Sequence, residues 1–360
     1  MSLFAQSRLS VARRWRGMTQ KELAERCGVS VQYMSFFENG GRTPQPATVH
    51  KIAFALGFPL SFFYASEVQL LDEDIPSFRA RRSMTSQIRG TALASGEIAA
   101  EMISPDVNSR FILPKTGVPD LAQYTPEDAA DLLRIEWKLG YGPIQNMVHL
   151  LESKGIEVYW IDDEAPSLDA FSFWRNSKSF VVLNSNKDAG ERSRFDAAHE
   201  LGHLVLHRHV DKLEGIKIES QADQFASAFL MPRVQFEAEF PKRPDLSMLY
   251  RLKKRWKVSV QAMIYRGKEL GQFSEWQVRD AFKRISASGM RLKEKEPIEL
   301  EQSLIHKMIF DSLNGKRILP DDYAKELNLN REVLFKLMPV ARQYVQQSRE
   351  IKRGNLRVVI

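Results

Sequence analysis

FDAAHELGHLVLH, residues 195–207, is the stretch on which the reading of this chain turns. His199 and His203 stand four residues apart. On a helix that spacing puts both imidazoles on one face, about 6 Å apart along the axis. Two such rings can reach one ion, and Glu200, one step round, is placed to meet a water there. The flanks, Ala197-Ala198 and Leu204-Val205-Leu206, are apolar. Burying two histidines and a glutamate in such a helix is costly unless they have work to do. The pattern predicts a metal site rather than a chance match on an amphipathic helix.

A hydrolytic zinc site needs a third protein ligand and one open position. His207 continues the same face but lies about 12 Å from His199 along the axis, too far for one ion. His209 falls where a longer histidine pattern has its third ligand, but Leu206 stands where that pattern breaks the helix with glycine. Glu219 opens a second expected helix, ESQADQFASAFLMP (219–232), and Asp223 is one turn further on the same face. Glu219 is the expected third ligand and His209 the alternative. Asp223 is expected to hold a ligand histidine from behind, or else to be an ordinary solvent-facing acid. Two histidines and a glutamate favour zinc, with manganese the alternative.

Upstream, TPEDAADLLRIEWKLG (125–140) reads as a capped helix, and GPIQNMVHLLESKG (142–155) as another with Pro143 at its start. IEVYWID (156–162), FSFW (171–174) and SFVVLN (179–184) read as strands, the last two separated by residues 175–178. The site helix is expected over residues 190–207. Residues 241–360 read as wholly helical; there Lys253, Lys254 and Arg255 form a basic run, a solvated face or a nucleic-acid contact.

The other end has a different character. MTQKELAERCGVSVQYMSFFENGGRTPQP (18–46) carries a capping box at Thr19 and Glu22, a helix stop at Gly28 and a second cap at Ser30. Two short helices joined by a tight turn make a helix-turn-helix. Residues 1–66 hold eight Lys/Arg against three Asp/Glu, and the whole chain has a net charge of +7. That balance favours a polyanionic partner.

The 360 residues, 43% hydrophobic and 27% charged, suit a soluble protein of two or three domains. No apolar run approaches the roughly 18 residues needed to span a bilayer. The start has no signal layout, so a cytoplasmic protein without membrane partners is expected. The lone Cys27 excludes an internal disulfide. The expected division is 1–66, a five-helix DNA-binding domain; 67–123, a helical linker with a basic, proline-broken stretch at 73–85; 124–240, the metal-site domain; and 241–360, a helical C-terminal domain. The fold class is α+β, mostly helical.

HELGH, preceded by RSRF and followed by ESQADQFASAFLMP, resembles the ImmA/IrrE family of metallopeptidases over roughly residues 124–295. The resemblance implies a thermolysin-like fold, a small sheet against the active-site helix. It implies His199, His203 and Glu219 as metal ligands and Glu200 as general base in metal-assisted hydrolysis. SFVVLN would be the strand beside the cleft, where an edge strand could hold an extended peptide. For the oxyanion, Tyr141, Trp174 and Arg175 are named without a basis for choosing.

Residues 8–64 resemble the Cro/C1-type helix-turn-helix of the XRE family, with Gln20, Ala24, Gly28, Val29, Glu38, Asn39, Gly40 and Pro44 in its pattern. The resemblance implies double-stranded DNA as partner, read by Val31, Gln32, Ser35 and Phe36 with Tyr33 at the edge. Gln32 can pair with adenine; Gln20, Asn39 and Arg42 would hold phosphates. The recognition helix is more apolar than is usual in the family, which leaves protein binding or dimerisation as the other use of this face. Together the two resemblances imply a DNA-binding regulator, commonly dimeric in this class, with a zinc endopeptidase site. Its expected substrate is a repressor, an antitoxin-type protein or the chain itself. The alternative is a non-enzymatic regulator or antitoxin whose peptidase-like domain senses metal or ligand.

Overall fold

The computed structural model describes residues 3–72, 85–103, 107, 109, 111, 113–161, 170–186, 189–209, 215–291 and 294–345. Most of the basic, proline-broken stretch lies outside the described residues.

Helices α1 (Gln6–Trp15), α2 (Gln20–Cys27), α3 (Val31–Glu38) and α4 (Pro46–Leu56) precede a 3-10 helix at Leu60–Tyr64. The capping box at α2 is present in both directions, and Gly28 closes the helix at φ 66°. Ser30 caps α3 by accepting from the Tyr33 N–H. Met34 and Phe37 turn inward with Leu23, Ala24 and Ile52, so α3 is anchored along one side only. The linker helix α5 (Ser86–Ala99) packs on α1. There Arg14 meets the buried Glu97 at 2.7 Å.

Next come α6 (Pro126–Glu136), α7 (Met147–Ser153), β1 (Ile156–Ile161), β2 (Ala170–Arg175) and β3 (Lys178–Asn184). Helix α7 begins after an Asn146 cap, not at Pro143. The sheet order is β1-β3-β2, with β1 parallel and β2 antiparallel to β3. Asn176 and Ser177 form the two-residue turn at φ 50° and 61°, the geometry that matches strand twist in a tight hairpin.

Alternation along the strands divides the molecule. Tyr159, Ile161, Phe171, Phe173, Phe180 and Val182 join the core of the N-terminal helices. Ile156, Val158, Trp160, Ala170, Val181 and Leu183 join a second core around α8 (Gly190–Leu206) and α9 (Gly215–Leu230). The sheet is thus a wall with a helical layer on each face.

Helices α10 (Arg233–Glu239), α11 (Leu246–Trp256), α12 (Val260–Glu269) and α13 (Glu275–Ala287) contribute to the second core. Helices α14 (Leu304–Gly315), α15 (Pro320–Glu326) and α16 (Arg331–Leu337) contribute to the first. The described residues from 241 to 345 therefore serve both cores rather than one C-terminal body. Carboxylates make the joints: Glu301 accepts the first N–H groups of α7, and Glu152 accepts those of α14. Arg16 meets Glu332 of α16 at 2.7 Å, tying the end of the first helix to α16.

The basic run of α11 is occupied by acids. Lys253 is buried, 2.6 Å from Glu191 and 3.0 Å from Glu294. Lys254 pairs with Glu296 and Arg255 with Glu239. Lys253 in particular serves packing rather than a nucleic acid, because a buried cation needs its counter-charges beside it.

Candidate metal centre and nucleic-acid interface

Helix α8 runs with buried residues along most of its length, between the sheet and α9. Gly202 sets the distance to α9: a Cβ there would lie 3.1 Å from the Phe225 ring and 3.3 Å from the Ala222 backbone. Helix α9 starts at Gly215, so Glu219 sits in its second turn rather than at its start.

This close packing brings His199, His203 and Glu219 together, each offering a ligand atom within 4.8 Å of the others. The two Nε2 atoms face each other at 3.1 Å. Glu219 Oε2 is 3.5 Å from His199 Nε2, and its Oε1 is 3.3 Å from His203 Nε2. The Oε1 contact is not aligned as a hydrogen bond, and that buried oxygen has no hydrogen-bond partner among the described residues.

The outer nitrogens explain which lone pairs point inward. His199 Nδ1–H donates to Asp223 Oδ1 at 2.8 Å, which leaves its Nε2 a bare acceptor. With both rings neutral and protonated on Nδ1, two nitrogens and a carboxylate around one point form a cluster of acceptors, which a cation satisfies and a neutral cavity does not. Without an ion, a proton takes the cation's place. Burial opposes a charge on His199, yet hydrogen bonds to Asp223 and Glu219 outweigh it and push its pKa up to about 10. Burial raises the Glu219 pKa, but the two histidines outweigh that and hold it well below the carboxylate range. Three donors of this kind fit zinc.

Glu200 is buried on the sheet side of α8, where Ser172 Oγ donates to its Oε2 at 2.7 Å. Ser172 escaped the sequence reading, although alternation in FSFW puts it on the face opposite Phe171 and Phe173. His207 sits outside the three-residue cluster, its Nδ1 3.0 Å from that of His203. Burial and the neighbouring His203 hold its pKa down to about 4. His209 is exposed and lies 3.6 Å from Asp120, so it is no ligand in this arrangement.

SFVVLN, expected beside the cleft, is the central strand, paired on both sides. It has no free edge to offer a peptide. Among the described residues the edge next to α8 is β2. A cleft of about 530 Å³ opens alongside α8, lined by Phe195, Asp196, Asp223 and Tyr265. Of the three oxyanion guesses, Trp174 is on β2 under the Arg208 guanidinium, 3.8 Å from its ring centre. Arg175 instead reaches the Glu97 carbonyl on the N-terminal side.

On α3, Val31, Gln32, Tyr33 and Phe36 are exposed and Ser35 half-buried, one continuous outer face. Arg42 lies over the Tyr33 ring at 5.0 Å and donates to its hydroxyl. Asn39 donates to Ser35, and Gln20 to Glu38, which also pairs with Arg13. These bonds fix side chains at the rim of the face.

The fold and the site define a helix-turn-helix protein joined to a metallopeptidase-like domain. Comparison with known families agrees: the helix-turn-helix model matches residues 9–63, and the IrrE N-terminal-like domain, a peptidase family, matches residues 151–268. The chain is 47% identical over 45 residues to an uncharacterized HTH-type transcriptional regulator of Sinorhizobium fredii, covering 12% of this chain and 58% of that protein, under two thirds of its length. It is 41% identical over 58 residues to another such regulator, of Methanothermobacter thermautotrophicus, covering 16% and 78%. The chain belongs to the XRE-type helix-turn-helix regulators and carries an IrrE-like peptidase domain. No helix among the described residues is long and apolar enough to cross a membrane.

Proposed function

We propose that this regulator binds double-stranded DNA through α3 and hydrolyses a protein through a zinc centre held by His199, His203 and Glu219. The substrate class is a repressor or antitoxin-type protein, or the chain itself. The observation that carries the reading is the convergence of two imidazole Nε2 atoms and one carboxylate beside a glutamate held by Ser172. Zinc, when bound, lowers the pKa of a water and polarises a carbonyl. Glu200 takes the proton from the attacking water and hands it to the leaving amine. Ser172 holds the Glu200 carboxylate from β2. An extended substrate lies along β2 by strand addition. Two copies on paired half-sites would match the usual geometry of such DNA-binding domains.

The test has two parts. Elemental analysis of protein purified without added metal should find about one zinc per chain, lost in Glu219→Ala. Glu200→Gln should keep zinc and DNA binding and lower cleavage by about 10²–10⁴. A second reading, regulation without cleavage, is favoured by the sheet being shared between the site core and the N-terminal core. Regulation that survives Glu200→Gln would select it.

A further inference from the structure

Helix α9 bears on the centre with more than Glu219, and the extra groups concern His203. The following rests on the metal-centre reading above. We propose that His207 and Gln221 are positioning residues that set which nitrogen of His203 is free for the metal. His207 is buried at the end of α8, and neither residue is a ligand. Gln221 Oε1 lies 3.1 Å from His207 Nε2. An amide oxygen only accepts, so His207 carries its proton on Nε2. Its Nδ1 is then an acceptor, and it lies 3.0 Å from His203 Nδ1. His203 must place its own proton on Nδ1, which leaves Nε2 bare toward His199 and Glu219.

The direction of this relay is decided at Gln221. Were its amide nitrogen to face His207, every donor would reverse. His203 would then carry a proton on Nε2, the atom that must bind the ion. Asp223 does the corresponding service for His199. One helix thus supplies a ligand at 219 and the orienting groups at 221 and 223, and His207 carries the influence of Gln221 across to α8.

The test is zinc affinity of the full chain, with zinc alone as probe in competition with a chromophoric chelator. Partners of this kind are worth about 10–100-fold in metal affinity. His207→Leu and Gln221→Met should each weaken zinc binding by that order while keeping one site. Gln221→Glu, whose carboxylate still only accepts, should stay close to the wild type. A role in packing alone would not distinguish Met from Glu at a half-buried position. Wild-type affinity in both weakening variants, with zinc lost in Glu219→Ala, would overturn the relay and leave the centre standing. Equal loss in Gln221→Met and Gln221→Glu would overturn the directional argument. No zinc on the wild type would remove the relay together with the centre. Thermal melting of the metal-free proteins reports folding. Should His207→Leu fail to fold, the two Gln221 variants carry the test.

Discussion

Helices α3 and α8 make opposite use of their polar residues. Helix α3 is eight residues long, buries Met34 and Phe37, and leaves the outer face that would meet DNA to water. Helix α8 is seventeen residues long and buries His199, Glu200 and His203. On α3 the outward side chains are solvated until a partner arrives. On α8 each buried polar group needs a partner inside the protein, and those of Glu200 and His199 come from β2 and α9. The contrast teaches that α3 can change its outer face without changing the fold, whereas α8 and its surroundings stand or fall together.

The sharpest way to break this contrast is to separate α8 from α9. Gly202→Val places methyl groups against Phe225 and Ala222. Overpacking of this kind costs about 1–3 kcal/mol, so the urea midpoint should fall and zinc content should fall with it. Retained stability and zinc would mean that the helices can part without disturbing the ligands.

The matching change on α3 is Gln32→Ala. Gln32 is exposed, so stability should move by less than about 0.5 kcal/mol. Combined with Arg42→Ala, it should weaken operator binding by about 1–3 kcal/mol, read by fluorescence anisotropy at fixed salt. Unchanged binding would reassign this face to a protein partner.

A smaller effect tests burial away from both helices. His306, beneath the Tyr159 and Trp160 rings, is pushed down to about 3 by burial alone. The unfolded chain takes up this proton near pH 6.5. The stability that the neutral form contributes is therefore complete above pH 6.5 and is lost progressively as pH falls toward 3. Urea midpoints at pH 8, 6 and 5 should decline less in His306→Gln than in the wild type.

Legibility in the sequence followed the range of the interactions. The α2 capping box, the Gly28 stop and the Ser30 cap are local, and local chemistry marks them. The strand stretches and the 175–178 turn were legible for the same reason. Strand order was not: SFVVLN reads as an apolar strand whether it is central or at an edge. The separation of His199 and His203 follows from helix geometry, and the acid at 219 from its place on an expected helix. Ser172, His207 and Gln221 gave no comparable signal. A serine in a strand and a glutamine in a helix are ordinary until a buried polar atom is seen beside them.

By itself, then, the sequence determined the two helix pairs and the three strand segments, and it named the candidate residues for DNA and metal. These depend on spacing along one element, which helix and strand periodicity convert directly into a face. Only the tertiary structure decided that β2 holds the edge beside α8, that Lys253 is an internal cation, and that the C-terminal helices divide between two cores. It also decided that His203 stands between His207 and the metal cluster. Each of these depends on what stands opposite a side chain across a packed interface, and no spacing along the chain contains that.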